Sequence, residues 1–364
     1  MTLPPIVLNG RFLGRPVTGV DRVATEIARA IGHILATTGQ TGNYEVVVPP
    51  GTPLERAQLG ENASACRTIG SRSGHGWEQT TLARYRRDAW LLNLCNTGPM
   101  FRRRQAVMIH DAQFIEIPDS YSWSFRTWYR ILLRTLARRS LIVYTNSVAS
   151  RDALERHGVV PPGKARILPL GVDHLDRFTA DDTVLSRHRL RPGGYILAIG
   201  SLARHKNLPM LVKAFLAANL DDIRLVVAGG GNSGIFRDAG LPIAANVDYL
   251  GRVSDGELKA LYANAMMFAC PSITEGFGLP PLEAMRSGCP VIATTGGAVP
   301  EVCGDAALYA DPTDPVAWRA ALVRVAGDGA LRAGMADRSR ARAADFTWAK
   351  AASQILTDVT SVGR

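Results

Sequence analysis

The feature that most constrains this chain is an alternation, across its second half, of short apolar runs with longer segments of helical period. The apolar runs are Tyr195–Ile199, Arg224–Ala228, Val247–Leu250, Met266–Cys270, Val291–Ala293 and Ala307–Tyr309, with helical segments Leu208–Ala218 and Asp255–Ala265 among them. Alternation of this kind predicts a parallel sheet with helices on both faces. The first four runs end in glycine or polar residues: Gly200-Ser201, Gly229–Gly231, Gly251-Arg252 and Ser272–Glu275. Parallel strands place those ends on one edge of the sheet, where open α/β sheets bind ligands. The first half repeats the pattern more weakly, with strands expected at Ile6–Asn9, Tyr44–Val48, Trp90–Leu94, Gln105–Ile109, Leu141–Thr145 and Ala165–Leu168. Thr18 can cap a helix whose apolar positions Val20, Val23, Ala24, Ile27, Ile31 and Ile34 share one face. The stretch 51–76 is polar and glycine-rich and shows no usable period. At 364 residues the chain suits two domains.

Within that frame, Ser272–Met285 carries the chemistry. Glu275 and Glu283 bracket Gly276-Phe277-Gly278-Leu279-Pro280-Pro281, with seven residues between the two acids. Glycine lets the backbone turn sharply and approach a ligand closely. Pro280 and Pro281 pre-set the first turn of a helix expected over Pro281–Ser287, ending at Gly288. The backbone N–H groups around Leu279 then form a phosphate site at a helix start. Two carboxylates beside an anion site would repel a lone phosphate, so their partners are hydroxyls. A nucleotide sugar, with phosphates between two sugars, fits that arrangement.

Glu-x7-Glu filled in this way resembles the donor-site motif of retaining GT-B glycosyltransferases, glycosyltransferase family 4 in particular. The resemblance implies an α/β, GT-B chain of two Rossmann-like domains facing each other across a cleft. Residues 1–170 would form an acceptor-binding domain and 171–345 a nucleotide-sugar domain, with 346–364 a helix returning to the first. It further implies that Glu275 holds hydroxyls of the transferred sugar and Glu283 the ribose, with Gly276, Phe277, Gly278 and Leu279 contacting sugar and diphosphate. In Gly200-Ser201-Leu202-Ala203-Arg204-His205-Lys206-Asn207, the Lys206-Asn207 pair matches the family's cationic loop. Family members often carry Arg where this chain has Ser201, and Arg204 is a candidate to supply that charge. Gly14 and Gly19 resemble the family's first glycine loop, with Gly19 placed against donor phosphate. His110, ending a strand, is expected to approach the donor sugar. Gly200, Gly230 and Val253 complete the expected donor lining. Pro169-Leu170-Gly171-Val172-Asp173 resembles the segment before the family's crossover, and polar Asp173–Gly194 is read as the linker.

Charge and composition narrow the class. Residues 1–170 hold 22 Lys/Arg and 12 Asp/Glu, whereas 171–364 hold 20 of each, so the net +10 belongs to the first half. That asymmetry predicts an acidic partner for the first half. Ser122–Leu141 reads as a helix with Arg126, Arg130, Arg134 and Arg138 in a row beside Trp123, Phe125, Trp128 and Tyr129. This composition suits either an anionic membrane surface or a solvated arginine stripe over a core-facing one. Arg84, Arg86, Arg87 and Arg102–Arg104 could extend the patch. No nucleic-acid motif accompanies the charge, and no apolar run approaches a membrane span. Five scattered cysteines suggest reduced thiols. The expected setting is therefore cytoplasmic, peripheral on the inner face of the plasma membrane.

Gly229–Gly234 spells GxGxxG but lacks the long helix and distal acid of a dinucleotide fingerprint. No Asp-x-Asp occurs, so cations and helix N-termini are expected to neutralise the diphosphate without metal or other cofactor. The expected reaction moves a hexose from GDP-mannose or a UDP-hexose to a glycan hydroxyl with retention. The acceptor is expected to be linked to polyprenyl pyrophosphate, in the making of a cell-surface polysaccharide. The rivals are a nucleotide-sugar epimerase of the same architecture and an inactive sugar-nucleotide-binding subunit of a polysaccharide assembly complex.

Overall fold

A computed structural model describes residues 3–15, 17–53, 59, 66–117, 122–230 and 244–362. The chain divides into two units, one of Met1–Gly171 with Thr347–Arg364 and one of Val172–Phe346.

The first unit holds a parallel sheet of β1 (Ile6–Asn9), β2 (Tyr44–Val48), β3 (Arg67–Thr68), β4 (Trp90–Asn93), β5 (Gln105–Met108), β6 (Ile142–Thr145) and β7 (Ala165–Ile167). Its order is β3-β2-β1-β4-β5-β6-β7, with Ile6 beside both Tyr44 and Trp90. β1, β4, β5 and β6 are buried at every position, which explains why they read as continuous apolar runs rather than alternating ones. The helix Gly19–Thr37 starts from Thr18, whose N and Oγ1 donate to the Asp21 carboxylate at 3.0 and 2.6 Å. The C-terminal helix Trp348–Val362 packs Ala351, Ala352, Ile355, Leu356 and Val359 inward. It belongs to this unit, where Tyr144 donates its phenol hydrogen to Asp358 at 2.8 Å and Gln354 donates to the Ile167 carbonyl at 2.9 Å.

The stretch without a period contains β3 and opens the helical turns Gly74–Trp77 and Glu78–Leu82, none of which the sequence reveals. Gly74 and Gly76 are poor helix formers. Tertiary contacts hold the turns instead, through fully buried Trp77 and Glu78.

The second unit holds β8 (Tyr195–Ile199), β9 (Arg224–Ala228), β10 (Val247–Gly251), β11 (Met267–Cys270), β12 (Val291–Thr294) and β13 (Ala307–Ala310). All are parallel, in the order β10-β9-β8-β11-β12-β13. Its core joins Ile196, Leu211, Phe215, Val227, Ile292 and Trp318.

Two expectations need correction here. Residues 173–194 are not a free linker: the helical turns Asp173–Arg177 and Thr183–Arg187 bury His174, Leu175, Val184 and Leu185. Lys259 Nζ donates to the carbonyls of Leu175 and Phe178 at 3.0 and 2.8 Å, fastening the segment to the second unit. The donor helix also starts earlier, running Leu279–Arg286. Gly278 at φ +98° is its N-cap, a conformation that only glycine adopts cheaply.

Candidate active site

The site is assembled at the C-terminal edge of the second sheet. After β8, Gly200 N donates to the Ala228 carbonyl at 3.0 Å. A side chain on Gly229 (φ +104°) would meet the Gly200 carbonyl at 2.9 Å, so glycine lets the loops after β8 and β9 touch. The turn Arg204–Lys206 ends at Asn207, itself left-handed at φ +54°. Asn207 Nδ2 donates to the carbonyls of Pro271 and Pro312 at 3.1 and 2.7 Å, and Ile273 N donates to the His205 carbonyl at 2.7 Å. These bonds clamp the loop after β8 onto the loop after β11.

The clamp brings Lys206 Nζ to 2.7 Å from Glu275 Oε1. Ser272 Oγ donates to the same oxygen at 2.6 Å, leaving Oε2 with no partner among those contacts. Residues 69 apart in sequence thus form one charged centre. From the other side, Ala298 N donates to the Glu275 carbonyl at 2.9 Å. A Cβ on Gly296 would overlap the Ile273 carbonyl, and one on Gly297 (φ +64°) would overlap the Glu275 backbone. The Glu275 loop therefore rests on a glycine pair. Beyond it, the N–H groups of Phe277, Gly278 and Leu279 have no partner among the described residues. Pro280 and Pro281 have none to offer, which narrows the anion site to the residues before them. Burial, with Glu275 next, pushes the Cys270 thiol up to about 12, so it is inert beside this centre.

Glu283, on the first turns of the same helix, is buried. Tyr262 donates its phenol hydrogen to Glu283 Oε2 at 3.0 Å, and His174 Nε2 lies 3.2 Å from Oε1. Burial and then the carboxylate push the Tyr262 phenol far above its ordinary pKa, so it remains a donor. Ser201 and Arg204 are exposed on the loop after β8, while Gly230 and Val253 are half-buried after β9 and β10. Residues 231–234 of the second glycine loop lie outside the described residues.

His110 and Gly19 belong to the first unit. Gly19 is exposed in the first turn of its helix, and an added Cβ there would meet no atom within 4 Å. The His110 ring is buried after β5, with Nε2 at 2.9 Å from the Leu94 carbonyl. A carbonyl only accepts, so Nε2 carries the proton and Nδ1 presents a lone pair. Burial pushes this imidazole down to about 4. The unfolded chain therefore takes up a proton at higher pH than the native one. His110 should lower stability progressively as pH falls from about 6.5 to 4, by roughly 3 kcal/mol in all. Urea unfolding at pH 7 and pH 4.5 should show His110→Gln losing less stability on acidification than wild type; equal losses would refute this.

A second charged centre, absent from the sequence reading, lies at the same edge of the first sheet. Glu78 Oε1 accepts from Asn9 Nδ2 at 2.9 Å and Thr97 Oγ1 at 3.0 Å, and lies 3.1 Å from Arg11 Nε. Oε2 lies 3.0 Å from His75 Nδ1. Burial alone would raise the Glu78 carboxyl, but His75, Arg11 and Asn9 together hold it below its ordinary range.

His174, Tyr262 and the pair Gly296-Gly297 were not singled out in the sequence, and Ser272 was marked there only as the first polar residue after its strand. Only the glycine pair had a readable signal, since it follows β12 on the edge already marked by Gly200 and Gly229.

Two doubly wound parallel α/β units, one with an acid–cation pair beside a helix start, define the GT-B glycosyltransferase fold. Residues 188–342 match the family model for glycosyl transferases group 1. O-antigen chain mannosyltransferase B of Escherichia coli is 30% identical over 290 residues, covering 74% of this chain and 76% of that protein. The chain belongs to the group 1 glycosyltransferases and is an enzyme that transfers glycosyl groups. It spans about half to two-thirds of the length of several other curated relatives. Among solved structures, HepE of Anabaena in complex with UDP and glucose superposes with a TM-score of 0.74 at 18% identity, covering 98% of this chain and 100% of that one. WaaG, a glycosyltransferase involved in lipopolysaccharide biosynthesis, gives 0.72 at 18% identity, covering 98% and 99%. At such identities these two likenesses show the fold.

Proposed function

We propose that this enzyme moves a hexose from a nucleotide sugar to a glycan hydroxyl, with retention of the anomeric configuration and without a metal. The observation that carries the reading is the Lys206–Glu275 pair beside the unpartnered N–H groups of Phe277, Gly278 and Leu279. Glu275 would accept hydrogen bonds from hydroxyls of the transferred sugar, Glu283 from the ribose, and Lys206 would neutralise the departing diphosphate. Arg204 is a second cation for that task. His110, held neutral, has a lone pair for a sugar hydroxyl. Gly19, Gly200, Ser201, Gly230 and Val253 would line the donor. The relative named for mannosyl transfer favours GDP-mannose, with a UDP-hexose as the alternative donor. O-antigen and lipopolysaccharide relatives support a role in cell-surface polysaccharide synthesis. Calorimetric titration with GDP- and UDP-sugars, followed by anomeric analysis of the product, tests the reading. An isomerised donor released without acceptor would make the enzyme an epimerase, and donor binding without turnover would make it an inactive subunit.

The acceptor reading rests on the helix Trp123–Arg139. Leu132, Leu133, Leu136 and Ala137 face the core, while Trp123 (77% exposed), Phe125, Trp128 and Ile131 do not. The exposed set is more aromatic than a solvated face requires. Arg134 leaves the row, because its Nε and Nη2 donate to the carbonyls of Gly158 and His157 at 3.0 and 3.2 Å. No helix among the described residues is long and apolar enough to cross a membrane. We therefore expect peripheral docking on the anionic cytoplasmic leaflet and a polyprenyl-pyrophosphate-linked acceptor. Arg126→Glu with Arg130→Glu should weaken co-sedimentation with anionic vesicles at low salt by roughly tenfold or more, leaving nucleotide-sugar affinity unchanged. Wild-type protein that ignores anionic vesicles would return this face to ordinary solvation.

A further inference from the structure

The described part of the first unit carries a second concentration of charge at the opposite edge of its sheet. Arg103 precedes β5, Ser140 and Leu141 precede β6, and Lys164 precedes β7. These strands are parallel neighbours, so all four residues sit at the N-terminal edge, whereas His110 follows β5 at the other. With Arg138 and Arg139 they line a recess of about 310 Å³.

Three arginines and a lysine meet there, and among the described residues no carboxylate pairs with any of them. Part of this has a local cause. Arg138 and Arg139 end a helix, where cations suit the dipole, and Lys164 Nζ donates to the Arg138 carbonyl at 2.8 Å. That cause does not reach Arg103, which arrives from another segment. Nor does it explain Ser140, a residue of the recess lining that is 1% exposed and has a buried Oγ with no hydrogen-bond partner. A buried hydroxyl without a partner is costly, and cations with no carboxylate partner crowded into one recess repel each other. An anion that accepts from guanidinium and hydroxyl together would relieve both. The volume lies at the small end of ligand pockets, about 300–1,000 Å³, which suits a phosphate or diphosphate group and not a whole nucleotide.

We propose that this recess is a phosphate-binding site, separate from the donor site and taking either a free phosphate or diphosphate or a lipid phosphomonoester headgroup. Arginine guanidinia match phosphate oxygens in bidentate geometry, and the Ser140 hydroxyl would add one donor. The proposal does not rest on the membrane reading of the neighbouring helix face.

The test uses the full chain with Lys206→Ala/Arg204→Ala, which removes both cations assigned to the donor site. Calorimetry with inorganic pyrophosphate should still show saturable binding. Adding Arg103→Gln and Arg139→Gln, both exposed positions, should weaken it roughly tenfold or more, and Ser140→Ala should weaken it less. An unchanged melting temperature without ligand shows that the variants fold. In a second arm, vesicles of phosphatidylcholine with phosphatidic acid are compared with vesicles containing phosphatidylglycerol at equal charge. A preference for phosphatidic acid that disappears in Arg103→Gln/Arg139→Gln, with no pyrophosphate binding, assigns the site to a lipid headgroup. Pyrophosphate binding that vanishes with Lys206→Ala/Arg204→Ala, or that persists but is indifferent to Arg103 and Arg139, together with vesicle binding indifferent to the same two residues, would overturn the proposal. Neither result bears on the sugar-transfer reading, which is read from donor binding and product.

Discussion

Replacing Lys206 by alanine is expected to lower turnover by ~10²–10³-fold, the loss seen when one preorganised charge partner of a transition state is removed. Lys206 Nζ sits 2.7 Å from Glu275 Oε1, held there by the loops that Asn207 and Ile273 clamp together, so the fold itself fixes the position of the cation. In Lys206→Ala the carboxylate keeps only the Ser272 hydroxyl. Its negative charge would then oppose the diphosphate instead of being offset. Lys206→Ala/Glu275→Gln should therefore bind nucleotide sugar more tightly than Lys206→Ala alone, although both stay slow. Wild-type activity should survive excess chelator. Turnover of Lys206→Ala within a few-fold of wild type, or chelator-sensitive wild-type activity rescued by Mg²⁺ or Mn²⁺, would show that another cation neutralises the leaving group.

Glu283→Ala should weaken nucleotide binding by tenfold or more, since a hydrogen bond to a charged group is worth ~1.5–3 kcal/mol. The geometry adds a second expectation. Removing the carboxylate leaves the buried Tyr262 hydroxyl without its acceptor and takes away the contact to buried His174. The orphaned Tyr262 donor should cost about 1–3 kcal/mol of stability. Glu283→Gln separates the effects: its amide oxygen can still accept from Tyr262, so stability should largely return while nucleotide affinity remains reduced. Affinity for GDP or UDP that is unchanged in both variants would leave Glu283 as a structural anchor for His174 and Tyr262.

How much could be read in advance differs from element to element. Strand β8 and strand β9 were legible to the residue, because parallel strands buried at four of their five positions are apolar there and end abruptly in glycine. The donor helix was legible in kind but displaced by two residues. Proline marks a first turn without saying which of its positions it occupies, and the left-handed Gly278 decided the start. The segment 173–194 was misread because its charged residues outnumber its apolar ones. Four apolar side chains, Leu175, Val184, Leu185 and Leu190, suffice to fold it down once a surface exists to receive them.

The amino-acid sequence alone determined the layer architecture, the ligand edge of the second sheet and the two glutamates. Each depends on local periodicity or on residues within one turn of each other. The partners of those glutamates were decided by tertiary structure. Lys206 reaches Glu275 across two loops clamped by Asn207, and His174 reaches Glu283 from a segment that looked like tether. The buried Glu78 with Asn9, Arg11, His75 and Thr97 draws on three segments of the first unit. Such pairings carry no spacing rule, because a carboxylate pairs with whichever donor the crossing of strands brings within hydrogen-bond reach. Only the fold sets that distance.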